Sequence, residues 1–121
     1  MTRAQMRRFE HVLREKREQL THLPVYREEV LLERIPDREE AVQLAAEREL
    51  AVRRLNRQFV LLQRVQVALD RICEGSFGRC LRCDRPIAVK RLAAVPWARF
   101  CVGCQNRLEQ RRVPGAVYLA A

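Results

Sequence analysis

The chain has 121 residues, which is enough for one domain or for one small domain with an elongated element. Aromatic residues make up only 6% of it and glycine only four positions, so long helices are favoured over a core built from sheets. Despite a formal net charge of +9, the basic start is not followed by the apolar segment of a secretory signal, and no apolar run reaches the roughly 20 residues that span a membrane. We therefore expect a soluble cytoplasmic protein with no membrane contact.

The first predicted element is an amphipathic helical segment from Met6 to about Ile35. Pro24 interrupts this segment, and a proline within a helix removes a hydrogen bond and clashes one turn back, so a kink or break is expected near residues 21 to 24. The single histidines His11 and His22 are predicted to face solvent. The apolar positions recur at helical spacing: Met6, Phe9, Leu13, Leu20, Leu23, Val30 and Leu31.

The second predicted element is one long helix over residues 38 to 73, preceded by Asp37 as a plausible N-cap. Neither proline nor glycine occurs in it, and at 1.5 Å per residue it would extend about 54 Å. Its apolar positions keep a three- or four-residue spacing: Ala41, Leu44, Ala45, Ala51, Val52, Leu55, Phe59, Leu62, Leu69 and Ile72. We predict a helix with one apolar face.

These two segments are predicted to pack as an antiparallel coiled-coil hairpin over residues 1–74, with its tip near residues 35–42. Neither apolar face can be buried alone, and the connection around Pro36 is short. A globule of three or four helices is disfavoured because too little chain follows residue 73. The expected fold class is mainly α, with the hairpin followed by a small four-cysteine zinc finger and a short C-terminal helix.

Two Cys-x-x-Cys motifs follow the hairpin, at Cys80–Cys83 and at Cys101–Cys104. Seventeen residues separate them, a spacing expected of a four-cysteine zinc site, whereas a redox dithiol needs only one such motif. A closed site with four protein ligands has no open position for catalysis, so we predict one structural Zn²⁺. The fifth cysteine, Cys73, is predicted to be a small packed side chain. Metal-bound cysteines fit a reducing cytoplasm better than a disulfide framework.

The predicted zinc-finger module covers residues 75–112 and begins with a glycine-containing turn at residues 75–78. Residues 84–100 contain Pro86 and Pro96 and lack helical periodicity, so an irregular or short-strand ribbon is expected there. Asp84 directly follows the first knuckle, where a left-handed backbone conformation is often needed and where Asp tolerates it. Residues 105–112 are predicted to form about two helical turns, ended by Pro114. The tail over 113–121 carries no motif.

Charge is distributed unevenly along the chain. Residues 27–49, around the predicted tip, hold eight acids and four arginines, a net −4, whereas residues 71–112 hold ten Lys or Arg against three acids. A zinc ion bound by four thiolates removes two positive charges from this basic end. The asymmetry is either an ordinary pattern of solvated helix faces or an interaction cue.

The residues around the knuckles resemble the zinc-finger signature of the DksA/TraR family. The resemblance is close over residues 68–105, where the segment 68–72 is similar to the helix end before that finger, and looser back to about residue 37. It implies a bacterial transcription regulator that binds RNA polymerase, inserts its coiled coil into the secondary channel and alters open-complex stability. The finger positions that carry it are Gly75, Ser76, Phe77, Gly78, Arg79, Cys80, Cys83, Ile87, Arg91, Leu92, Ala94, Pro96, Ala98, Cys101 and Cys104.

The resemblance also implies roles for individual residues. The family's tip pattern Asp-x-x-Asp-x-Ala falls on Asp37, Glu40 and Val42, which keeps the first acid, replaces the second conservatively and enlarges the alanine. Arg91 is either a polymerase contact, which we favour because arginine is enriched at interfaces, or a structural pairing.

The sequence also departs from the family at positions that help to bind guanosine tetraphosphate. Basic residues just before the ribbon proline and just after the fourth cysteine are replaced here by Val95 and Gln105, while Arg64 matches a basic position. We therefore expect weak or absent dependence on this alarmone. The chain is also predicted to lack a long C-terminal helix after the finger.

The alternative interpretation is a zinc-ribbon protein that binds nucleic acid directly through its basic C-terminal half, as the pI of about 10.3 suggests. The finger offers few interleaved aromatic residues for base stacking, so this function is the second choice. The sequence lacks a Ser/His/Asp set, an open metal position and a phosphate-binding glycine loop, so we do not predict an enzyme.

Overall fold

The computed structural model describes residues 1–22 and 37–111, which contain four helices: α1 (Arg3–Thr21), α2 (Arg38–Glu74), α3 (Val89–Ala94) and α4 (Val102–Gln110). Over these two ranges the chain is mainly helical, as predicted, and strand pairing is limited to an isolated antiparallel bridge between Arg79 and Pro86. None of the helices found in them has the length and apolar character needed to cross a membrane.

Helix α1 begins earlier than the apolar pattern indicates because its start is capped by polar side chains. The Thr2 hydroxyl accepts a hydrogen bond from the Gln5 N–H at 3.1 Å, and the Gln5 side chain accepts from the Thr2 N–H at 2.9 Å. This reciprocal pair satisfies two donors that an open helix end would leave unpaired. The helix ends at Thr21 with His22 as its C-cap. The kink predicted at Pro24 lies outside the described residues.

Helix α2 is a single run of 37 residues, in agreement with the predicted range of 38–73. Asp37 is its N-cap, as predicted, because the carboxylate accepts a hydrogen bond from the Glu40 N–H at 2.8 Å. The helix ends at Gly75, whose backbone is left-handed with φ of 80°. At 1.5 Å per residue the helix is about 55 Å long, so its two ends are far apart.

Helices α1 and α2 pack in antiparallel directions, as the hairpin prediction requires. The rings of Phe9 and Phe77 lie 5.6 Å apart at the finger end, whereas Arg17 contacts Gln66 further along α2, at 3.2 Å. Later residues of α1 therefore contact earlier residues of the segment formed by α2 and the start of the finger, which is the antiparallel arrangement. The core that joins the helices to the finger consists of Phe9, Leu13, Val65, Ala68, Leu69, Phe77, Cys80, Ile87, Leu92, Ala98 and Cys104.

The expectation of an irregular ribbon over residues 84–100 is wrong in part, because residues 89–94 form the helix α3. Its N-cap, Ala88, provides no side-chain hydrogen bond, so the usual polar start signal is missing. Leu92 is fully buried and anchors the helix to the core. Packing of this one side chain explains why a short helix forms without local sequence signals.

Side-chain exposure agrees with one prediction and contradicts another. His11 and His22 are exposed, as predicted, and each lies within ion-pair distance of a glutamate on the same helix, Glu15 and Glu18. Cys73 is exposed on the last turn of α2, so the prediction that it packs in the interior is wrong. Free cysteines are usually buried, but Cys73 is not, because Ile72 and Leu69 occupy the positions of this turn that face the core.

Alanine substitutions at two glycines, Gly75 at the C-cap of α2 and Gly103 in α4, are expected to change stability in opposite directions. Replacing Gly75 with alanine is expected to destabilise the protein by about 1–2 kcal/mol, because φ of 80° is unfavourable for any residue with a Cβ atom. Gly103 lies inside α4 with open space around its Cα, so alanine there is expected to stabilise by up to about 1 kcal/mol. Thermal unfolding followed by circular dichroism should show Tm shifts in opposite directions. Equal shifts would contradict the assigned backbone.

Candidate zinc centre and coiled-coil tip

The structure brings together the four cysteines that the motif spacing predicted as ligands. The sulfur atoms of Cys80, Cys83, Cys101 and Cys104 all lie within 4.8 Å of one another. A tetrahedron with Zn–S bonds of about 2.3 Å places its sulfurs roughly 3.8 Å apart. The Cys83 and Cys101 sulfurs are separated by 3.8 Å, so the donor set fits zinc in both composition and size.

Backbone hydrogen bonds hold the first knuckle in shape. The Cys80 N–H donates to the Arg85 carbonyl at 2.9 Å, and the Asp84 N–H donates back to the Cys80 carbonyl at 3.0 Å. Asp84 adopts the left-handed conformation with φ of 59°, as its position predicted. Asp tolerates this conformation better than most residues, though less well than glycine. The Leu81 N–H donates to the Arg99 carbonyl at 2.9 Å, which ties this knuckle to the segment before the second one.

The second knuckle is the first turn of α4. Cys101 is the N-cap of this helix, and its sulfur accepts from the Cys104 N–H at 3.4 Å. The predicted start at Gln105 was therefore late, because a cysteine sulfur, and not one of the usual polar caps, starts the helix. The sulfur of Cys101 therefore lies at the N-terminal end of α4, where backbone N–H groups favour a thiolate.

Burial and hydrogen bonding act differently on the thiols. Burial raises the pKa of Cys80, but backbone hydrogen bonds from Cys83, Cys101 and Arg82 outweigh it and lower the pKa to about 6. Burial, reinforced by contacts with the other three thiols, raises the pKa of Cys104 to about 12. Backbone and side-chain hydrogen bonds from Cys104 lower the pKa of Cys101. Because zinc binds thiolates, metal binding displaces the protons that remain.

The predicted tip residues lie at the opposite end of α2 from the metal centre. Asp37 precedes the first turn and Glu40 lies within it, and the side chain of Asp37 is exposed. Val42 is 67% exposed, in spite of its apolar side chain. The structure thus places two carboxylates at a helix start, and the length of α2 separates them from the zinc.

Arg91 and Trp97 have structural contacts within the molecule. The Arg91 Nε donates to the Phe100 carbonyl at 3.0 Å, so this half-buried guanidinium links α3 to the second knuckle. Trp97 is half-buried, with the Lys16 ammonium 5.9 Å from its ring centroid. This cation–π contact joins α1 to the finger. Contact of Arg91 with polymerase stays a prediction.

The three positions that match the alarmone site differ in what they can offer a ligand. Arg64 is half-buried on α2, and Val95 is the C-cap of α3. Gln105 is buried, and its amide nitrogen already donates to Glu109 at 3.2 Å. A buried glutamine that is engaged in this way has little to offer a phosphate group at the surface.

Arg99 is a residue that the sequence analysis missed. It contributes with Arg64 to the lining of a groove between α2 and the first knuckle. No motif marks it, since residue 99 follows the ribbon proline with no spacing relation to residue 64. The Leu81 N–H donates to the Arg99 carbonyl, and the neighbouring Ala98 is buried in the core shared with α2, so tertiary contacts place this arginine beside the helix.

The hairpin and the closed four-sulfur site define a coiled-coil protein with a structural zinc finger. The family described as the prokaryotic dksA/traR C4-type zinc finger matches residues 75–110. A relative from Caulobacter vibrioides, named RNA polymerase-binding transcription factor DksA, is 35% identical over 102 residues, which cover 84% of this chain and 68% of that protein. The chain belongs to the DksA/TraR family, and the zinc prediction is confirmed.

Two further similarities define how far the likeness extends. An uncharacterised protein from Aquifex aeolicus is 34% identical over 74 residues, covering 61% of this chain and 51% of that protein. The chain thus spans about half of one relative and about two thirds of the other. The structure of transcription factor DksA2 from Pseudomonas aeruginosa has a TM-score of 0.73 and 30% identity, covering 92% of this chain and 88% of that one. The family is one of transcription factors, in agreement with the prediction that the chain is not an enzyme.

Proposed function

We propose that this protein is a transcription regulator that binds RNA polymerase directly and works in the cytoplasm. Membership of the DksA/TraR family supports the proposal, as does the name RNA polymerase-binding transcription factor carried by the Caulobacter relative. The observation that carries it is that two carboxylates lie at the start of one uninterrupted helix about 55 Å long, whereas the four-cysteine centre follows the other end of that helix. A rod of this kind suits action at a distance from its attachment point.

We further propose that the hairpin tip enters the secondary channel and modulates open-complex stability. A polymerase active centre is built on Mg²⁺ and phosphates, and bound ions of this kind dominate local electrostatics. Asp37 and Glu40 could perturb such a site because they bring negative charge close to it. Val42 replaces the smaller family alanine, so its exposed side chain is expected to change the fit of the tip.

Neutralising the tip acids is expected to separate binding from activity. Asp37→Asn keeps an N-cap, since asparagine caps helices as well as aspartate does, and Glu40→Gln keeps the side-chain volume. The double variant should bind core RNA polymerase within about twofold of wild type, yet lose the effect on open-complex lifetime. Glu47→Gln, which removes one exposed carboxylate from α2 away from its start, is the control. A tip variant that alters open-complex lifetime as the wild type does would refute tip action.

Weak or absent alarmone dependence is expected from the replaced basic residues. Each charge-assisted hydrogen bond to a phosphate is worth roughly 1.5–3 kcal/mol, and Val95 and Gln105 supply none. Thermophoresis of guanosine tetraphosphate with polymerase, with and without the protein, measures this. Tight binding that requires the protein would contradict the prediction. Val95→Arg restores one basic side chain and should strengthen binding if the site is otherwise intact.

Direct nucleic-acid binding is a second candidate, favoured by the basic surface of the finger. Arg82, Arg85, Lys90 and Arg107 are exposed there, and phosphate contacts of such residues give salt-dependent affinity. Gel shifts with naked DNA or RNA at submicromolar protein and increasing salt distinguish the two functions. A protein that binds nucleic acid tightly in the absence of polymerase supports the second.

A further inference from the structure

Helix α2 carries a second row of apolar side chains, separate from the residues that it buries. Ala45, Val52 and Phe59 recur at intervals of seven residues, and Val42 lies three residues before Ala45. Positions spaced in this way share one side of a helix, so the four residues form one stripe, which we call the outer stripe. All four are exposed, and Val42 and Phe59 keep 67% and 60% of their surface.

The spacing of the outer stripe is that of a coiled-coil contact. Such a contact uses two positions of each seven-residue repeat, written a and d, which are mostly apolar. The apolar residues from Ala45 onward take the d positions, whereas Glu49 and Asn56 take the a positions between them. Polar residues at a positions weaken a coiled coil but restrict its partner and its register. The outer stripe therefore suits a second helix that binds weakly and selectively.

The charge of α2 and its N-cap is reversed between the two halves. Residues 37–50 hold five acids and two arginines, a net −3, whereas residues 51–74 hold five arginines and two acids, a net +3. An identical helix that packs in the opposite direction places each acidic half beside a basic half, whereas a parallel copy places like charges together. The helix is thus complementary in charge to an antiparallel copy of itself.

The basic finger does not oppose an antiparallel pair. It follows the C-terminal end of α2, so the two fingers would lie at opposite ends of the pair, separated by roughly the 55 Å length of the helix. Charges so far apart are screened from each other, since the Debye length is about 8 Å at physiological salt. A parallel pair would bring both basic fingers together.

We propose that the outer stripe is the contact of a symmetric dimer, in which α2 packs antiparallel on α2 of a second copy of this chain. The same patch serves both copies, as a two-fold axis requires. Phe59 is the expected anchor, because aromatic residues are enriched in interface cores. The inference goes beyond the proposed function. The acids at the start of α2 would lie against the second copy, so the dimer would be a form whose tip is not available to polymerase.

Sedimentation equilibrium of the full zinc-loaded chain over the micromolar concentration range tests the dimer. The stripe variant is Val52→Ser/Phe59→Ser. The matched control is Leu50→Ser/Val89→Ser, which replaces two side chains outside the stripe that are 51% and 43% exposed. We expect the wild type to approach twice the monomer mass, the control to have a Kd within about twofold of it, and the stripe variant a Kd at least about tenfold higher. Melting followed by circular dichroism confirms that each variant is folded.

Charge reversal tests the antiparallel direction. Arg53→Glu/Arg57→Glu makes both halves of α2 acidic, so it is expected to abolish the dimer at low salt. Adding Glu47→Arg/Glu49→Arg to the same chain makes the halves opposite in sign again and should restore the dimer. Glu49 and Arg53 form an ion pair at 2.7 Å within α2. The fourfold variant keeps this pair with its charges exchanged, so the helix itself is expected to remain intact.

Nitroxide labels on Cys73 measure the direction independently. Cys73 is exposed and is not among the four clustered thiols, which bound zinc would protect from labelling. In a pair centred on Val52, each label lies 21 residues from the centre, so the two labels would be roughly 60 Å apart. A parallel pair, with helix axes about 10 Å apart, would hold them close together. Double electron–electron resonance distinguishes the two arrangements.

Each other outcome overturns the proposal. A wild type that stays monomeric refutes the dimer. If in addition the stripe variant loses affinity for core RNA polymerase, the stripe is assigned to polymerase. Equal Kd values for the stripe variant and the control move the dimer contact to another surface. A short distance between the labels, or a fourfold variant that fails to restore the dimer, refutes the antiparallel direction.

Discussion

Replacement of Cys104 with serine is expected to release the zinc and unfold the finger. Structural zinc contributes about 10–16 kcal/mol of apparent binding free energy in small fingers. Cys80 and Cys104 are themselves members of the buried core that the finger shares with α1 and α2, so loss of the metal is expected to open that core. We expect zinc to fall from one ion per chain to well below that, with loss of the cooperative transition of Trp97.

Trp97 is the only tryptophan of the chain and lies in the finger, so its fluorescence reports unfolding of this part. Cys73→Ser is the matched control, because Cys73 is exposed and its sulfur is not among the four that cluster. It should keep a full complement of zinc and an unchanged transition. Equal zinc loss in both variants, or a stable zinc-loaded Cys104→Ser protein, would show that the ligand set is wrong. Treatment of the wild type with a chelator should reproduce the Cys104→Ser result.

Truncation of Leu13 to alanine is expected to destabilise the protein by about 2–5 kcal/mol. The Leu13 side chain has no exposed surface and lies in the core shared by α1, α2 and the finger. Val12→Ala is the control, because Val12 is 39% exposed on the same helix and should cost no more than about 0.5 kcal/mol. Urea unfolding followed by far-UV circular dichroism gives both values. Similar losses for the two variants would mean that α1 does not pack as described.

The metal centre and the long helix were predictable because each depends on local patterns. Ligand spacing defines the zinc site without knowledge of the fold, since a two-residue turn between cysteines brings both sulfurs to one ion. Helix α2 has 37 residues, a capping Asp37 and a closing Gly75, so periodicity and end signals agree over its length. In a long helix the same apolar spacing recurs at every turn, so the pattern is easy to recognise.

Features that depend on packing between distant residues were not predictable. Helix α3 has six residues, too few for a periodic pattern, and it is held by burial of Leu92. The start of α4 is capped by the sulfur of Cys101, a residue that the usual list of capping side chains omits. The exposure of Cys73 and the juxtaposition of Arg64 with Arg99 depend likewise on how the finger sits on α2.

Because α2 is one uninterrupted helix, a small change in its angle at the finger becomes a large displacement at its other end. The helix is about 55 Å long, so a tilt of roughly 10° at the finger would move the far end by about 10 Å. The angle at which the zinc module is seated would therefore decide where Asp37 and Glu40 arrive. A substitution near the finger could then move both carboxylates without changing their charge. The position of these acids and their chemistry would be determined at opposite ends of one helix.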